Sequence, residues 1–230
     1  MLISSEQEED QAEILFQNLE CLDVSYHYDY ELAFFKLRYA ESLYFRDTSR
    51  ALDMVKECQD RLLKLRGPEE KFYLWAKMDY TFLQFVLKKP DANLDDMIQA
   101  HNALKKNCFN DYRKRLFALA SIYYASGLIQ SGDQILFSDA ATLRELRPRQ
   151  KAFYAETIAI HYALSGDIIQ AERELQKAAN LFREFPSYLT VIQHNQDILK
   201  SGAFHPNKID FCANRHCRSG WYCIDPRCIW

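Results

Sequence analysis

Glycine and proline are scarce in this chain, six of each among 230 residues. That scarcity excludes collagen-like and low-complexity classes and leaves few points where regular structure must break. Long apolar runs are missing as well. No stretch approaches the roughly 18–20 apolar residues that cross a bilayer, so no membrane partner is expected. The opening MLISSEQEED lacks the basic region and apolar stretch of a secretory signal, and a cytoplasmic location is the expectation. Seven cysteines, an odd number, argue against a complete disulfide framework. Charge of one sign is also lacking: 29 basic residues face 32 acidic ones, for a net charge of −3. No global field therefore favours nucleic acid or an anionic membrane.

Catalytic signatures are absent too. There is no GxxxxGK segment and no HExxH. The six histidines, His27, His101, His161, His194, His205 and His216, are scattered. Cys217 beside His216 has no orienting third group, and Glu172 with Glu174 reads as a solvated helix face. No enzymatic activity is expected.

What is present is hydrophobic content, 48% of residues, at helical spacing almost everywhere before Gly202. In 131–147, Leu136, Ala140, Leu143 and Arg147 fall at i, i+4, i+7 and i+11, with Ile135, Phe137 and Leu146 widening the stripe. Gly67-Pro68, Pro90, Pro148 and Pro186 mark boundaries, and Ser5 with Glu8, Asp47 and Asn93 suit helix N-termini. The pattern predicts an all-α chain of about ten helices, over 5–20, 27–45, 48–66, 69–88, 94–107, 110–127, 132–146, 149–164, 168–183 and 187–201. Short links favour antiparallel hairpins.

The stretch 152–186, AFYAETIAIHYALSGDIIQAERELQKAANLFREFP, resembles a tetratricopeptide repeat (TPR). With Gly166-Asp167 as the turn, Ala159 and Tyr162 fall on the small and aromatic positions of helix A. Ala171 and Ala178 fall on the small positions of helix B, and Pro186 closes the unit. Ala120, Tyr123 and Gly127 repeat the pattern of Ala159, Tyr162 and Gly166 39 residues upstream, longer than the family's period of about 34. Trp75 falls where the family often has tryptophan, and Ala51 and Cys58 match the two small positions after the Arg46-Asp47 turn. The resemblance covers about 30–200 and implies a TPR-like α-solenoid of antiparallel hairpins over 1–202. An all-α bundle with repeat-like spacing is the alternative. The layout also resembles the C-terminal sensor regions of bacterial STAND-type NTPases, which implies attachment to a larger NTPase-containing protein or assembly.

Residues 203–230 form a cysteine- and aromatic-rich tail. Cys212, Cys217, Cys223 and Cys228 are spaced C-x4-C-x5-C-x4-C, and four thiolates suit tetrahedral zinc, with His205 or His216 as substitutes. The competing readings are disulfides, or buried thiols under Phe211, Trp221, Tyr222, Ile224 and Trp230, an irregular cap on the last hairpin. No cofactor is required; one structural zinc in the tail is the open alternative.

In the TPR family the second, fifth, ninth and twelfth positions of helix A line the concave face. Carried over, these are Ala33, Lys36, Ala40 and Leu43; Tyr73, Ala76, Tyr80 and Leu83; Lys114, Phe117, Ser121 and Tyr124; and Phe153, Glu156, Ile160 and Ala163. The resemblance thus implies a peptide-binding groove carried by Lys36, Tyr73, Tyr80, Lys114, Phe117, Tyr124, Phe153 and Glu156. Packing between helices is the other reading of these aromatics, because a register shift of one moves them from groove to core. The expected function is non-catalytic protein or peptide binding, as a scaffold or sensor. The alternative, a nucleic-acid-binding helical repeat with a zinc-stabilised tail, draws on the basic clusters at Lys105-Lys106, 113–115 and 144–151, but the acidic balance disfavours it.

Overall fold

The computed structural model describes residues 11, 13–18, 28–43, 47–87, 89–109, 112, 116–138, 146, 148–183 and 186–201. Among these, every regular element is a helix. After a short helical segment at 13–18 come α1 (Asp29–Leu43), α2 (Thr48–Arg66), α3 (Lys71–Val86), α4 (Leu94–Asn107), α5 (Leu116–Ala125), α6 (Ile129–Leu136), α7 (Pro148–Leu164), α8 (Ile168–Leu181) and α9 (Pro186–Lys200). No helix among the described residues is long and apolar enough to cross a membrane.

Local chemistry sets the ends. The Asp47 carboxylate accepts the Arg50 N–H at the start of α2, and the Asn93 side chain accepts that of Asp95 at the start of α4. Asp167 does the same for Gln170 at the start of α8. Each satisfies a donor that the first helical turn leaves without an intrahelical acceptor. Gly127 and Gly166 hold φ at 75° and 83°, where a side chain is strained, and each lets one helix stop and the next begin within a few residues. That turn explains a departure from expectation. Instead of one helix over 132–146, α6 starts three residues earlier and ends at Leu136, where the Phe137 N–H bonds back to Asp133 and Ile135. The Ser5–Glu8 pair lies outside the described residues.

The chain divides into two compact units, 1–109 and 110–230. The division falls inside the segment expected to be one helical domain; no glycine or proline marks it, and it lies between the basic clusters at 105–106 and 113–115. The expected boundary at 202/203 lies outside the described residues.

In the first unit each of α1 to α4 packs mainly on its neighbour in sequence. Leu37, Val55, Leu62, Met78, Leu83, Met97 and Leu104 are buried at its centre. Ala51 and Cys58 are almost fully buried in α2, where a larger side chain would push the helices apart. The helical segment at 13–18 joins this unit through Phe16, whose ring stacks on Tyr39 with centroids 4.5 Å apart, and through Glu13 to Arg50 at 3.2 Å.

In the second unit α5 pairs with α6 and α7 with α8, α7 also meets α5 and α6, and α9 lies on α8. Ala171 and Ala178 are fully buried in the α7–α8 hairpin. Most of α5 is buried all round, as its nearly continuous apolar sequence requires, and α7 is buried from Ala152 to Thr157.

Candidate functional site

The first unit carries a half-buried cluster of four rings. Tyr30 and Phe34 sit one turn apart on α1, and Phe72 and Trp75 one turn apart on α3. Phe34 and Phe72 have centroids 4.4 Å apart, Tyr30 and Phe72 6.0 Å, and Phe72 and Trp75 5.9 Å. Three cations lie on these rings. The Arg66 guanidinium is 4.9 Å from the Tyr30 centroid, the Lys71 ammonium 4.5 Å from Phe72, and the Arg38 guanidinium 5.5 Å from Trp75. Such contacts suit a ring with one wet face, because the charge keeps part of its hydration while resting on the negative face of the π system. The Tyr30 hydroxyl donates to Glu70 at 2.8 Å, and the other Glu70 oxygen accepts the Tyr73 N–H at the start of α3. Burial, the hydrogen bond to Glu70 and the Glu70 charge push the Tyr30 phenol up to about 12, with Arg66 pulling the other way.

Three residues expected in the groove belong to this unit, and all are half-buried. Tyr73 begins α3 beside the cluster. The Tyr80 ring lies 5.6 Å from the Lys56 ammonium. Lys36 pairs with Glu57 and lies 5.8 Å from the Phe16 centroid. Its charge is thus already engaged with the chain's own carboxylate.

In the second unit four expected groove residues fall among the described ones, and they lie inside: Phe117, Tyr124, Phe153 and Glu156 are all buried. Phe117 and Phe153 stack with centroids 5.3 Å apart, and Phe153 meets Phe182 edge-on at 5.1 Å. One turn further along both helices, the Ser121 and Thr157 hydroxyls are 3.1 Å apart. Either can donate to the other, and each also lies in reach of a carbonyl of its own helix, Phe117 or Phe153. Burial pushes the Glu156 carboxyl up to about 8.

A constellation that sequence reasoning missed joins three helices of this unit. Asp133 Oδ1 (α6) accepts from the Tyr124 hydroxyl (α5) at 2.7 Å and from His161 Nδ1 (α7) at 2.6 Å. With the proton on Nδ1, the neutral ring keeps its acceptor lone pair on Nε2. The Phe137 ring meets His161 edge-on at 4.9 Å. Burial first, then the bond to Asp133, raises the Tyr124 phenol far above its ordinary range. Gly132 makes room: a Cβ there would lie 2.5 Å from the Tyr124 ring. His161 follows Asp133 by 28 residues, so no local spacing betrays the pair.

Lys114 and its neighbours 113 and 115 lie outside the described residues, as do Cys212, Cys217, Cys223 and Cys228. Among the described residues no cluster of three metal-ligating side chains occurs. Cys58 and Cys108 are free thiols, and burial pushes that of Cys58 up to about 12, which leaves it inert at neutral pH. Lys105 and Lys106 are exposed in the last turn of α4. No protein-family model matches the chain, nor does any curated protein or any solved structure.

Proposed function

We propose that the chain is a non-catalytic protein- or peptide-binding module, a scaffold or sensor built as a TPR-like solenoid. The ring cluster on α1 and α3 with its stacked cations carries this reading. Rings and guanidinium groups that remain half-exposed are the side chains that dominate binding energy when a partner covers them. The hairpin pairing within each unit supports the repeat architecture. So does the side-by-side match of Phe117 with Phe153 and of Ser121 with Thr157, each pair 36 residues apart. Binding at this cluster shifts the recognition surface from the expected list towards Tyr30, Phe34, Phe72 and Trp75, with Tyr73 at its edge.

The test is a titration of the full chain against an array of peptides varied in aromatic and acidic content. Selective binding of acidic, aromatic peptides, weakened about tenfold by Arg66→Ala with Lys71→Ala, supports the reading. Failure to bind any peptide, or binding indifferent to both changes, removes it. Salt-steep binding of single-stranded nucleic acid instead would favour the alternative reading. No cofactor enters this proposal. Metal content per chain, measured on protein purified without chelator, decides whether Cys212, Cys217, Cys223 and Cys228 hold a structural zinc. A cytoplasmic setting within a larger NTPase-containing assembly fits a sensor role, and cross-linking in the source cell tests it.

A further inference from the structure

We infer that α9 is a detachable helix of the second unit, joined to α8 across a seam that contains an unmet polar group. Val191, Ile192, Asn195, Ile198 and Leu199 recur at i, i+1, i+4, i+7 and i+8 and are all buried. The pattern makes one face, and among the described helices α8 is its principal partner. Asn195 stands at the centre of that face. It is 0% exposed, and among the described residues neither its Oδ1 nor its Nδ2 has a hydrogen-bond partner.

An amide taken out of water with no bond in return weakens the seam by its desolvation. On α8 itself the buried residues, Ala171, Leu175 and Ala178, are all apolar. The polar contact found between α8 and α9, Gln196 to Gln176 at 3.4 Å, is long and exposed, so it adds little. Opening of α9 returns the Asn195 amide to water and bares four aliphatic side chains on the freed helix. This follows from the seam alone and does not rest on the proposed binding role.

Hydrogen exchange by mass spectrometry on the full chain tests it, comparing 187–200 with 150–181. The expected result is exchange in 187–200 at least tenfold faster than in α7 and α8. In Asn195→Leu that exchange slows about tenfold, the change in equilibrium that removing one unmet buried group produces, while α7 and α8 keep their rates. Asn195→Ala, which removes both polar atoms without adding volume, guards against a leucine that does not fit; its exchange in 187–200 stays equal or slows. Exchange of α9 in step with α7 and α8, or faster exchange in both variants, overturns the inference, because the amide would then be satisfied.

Discussion

The two units differ in their surfaces more than in their interiors. Both bury polar side chains, Asp79, Thr81, Gln84 and His101 in the first and Ser121, Glu156, Thr157 and Asn195 in the second. What sets the first apart is its surface. Six cation–π contacts occur among the described residues, all with rings between Phe16 and Tyr80. Proteins show such contacts roughly once per 70–80 residues, so this unit is rich in them. In the second unit the distinctive polar contacts run between helices: the Ser121–Thr157 pair joins two, and the Tyr124–Asp133–His161 set ties three together. Surface cations cost little to keep and can be exchanged for a partner's contacts. Buried polar groups must be satisfied by the fold itself and dictate how its helices meet. The first unit therefore carries its distinctive polar contacts on its surface, and the second carries them between its helices.

The largest test of that contrast is Gly132→Val. Although glycine is a poor helix former, a side chain here drives into the buried Tyr124 ring and breaks its bond to Asp133. The expected loss is about 3–5 kcal/mol in denaturant unfolding, confined to the second unit. A neutral or stabilising result would show that Tyr124 is not locked.

Next is the pH response of Glu156. Its carboxyl is raised from 4.5 to about 8 in the folded chain, so the folded state holds its proton where the unfolded state has lost it. Its stabilising proton is fully present below pH 4.5, and stability falls as pH rises from there to about 8, by an amount on the order of 3 kcal/mol. Glu156→Gln should raise Tm above pH 7 and flatten that dependence. A parallel pH profile in the variant would refute the assignment.

Phe72→Ala should cost the first unit about 2 kcal/mol, less than a fully buried ring, since Phe72 touches Tyr30, Phe34 and Trp75 while half-exposed. Smallest is Arg66→Gln, which removes one exposed cation from Tyr30 and should change stability by about 0.5 kcal/mol while lowering affinity for an acidic peptide more. If stability fell by several kcal/mol, the cations would be structural, and the contrast between the units would fail.

Much of the helical layout was legible in advance. Most of the helices among the described residues follow from apolar spacing and from Asp47, Asn93, Gly127, Gly166 and Asp167, because capping and turn preferences act within a few residues. The sites were less legible. Phe117, Tyr124, Phe153 and Glu156 fit a groove register equally well as a packing register, and the structure puts all four inside. Asp133 with His161, and Tyr30 with Phe72, are far apart along the chain and carry no local mark of their meeting.

The amino-acid sequence by itself determined that this chain is helical, where most of its helices begin, and that Ala171 and Ala178 lie against a neighbour. Each of these depends on interactions within one or two helical turns. Only the tertiary structure decided which face of each helix meets water, which cations rest on which rings, and that α6 hands Asp133 to both Tyr124 and His161. Those outcomes depend on how separate helices cross, and a crossing is settled by the packing of all their side chains together.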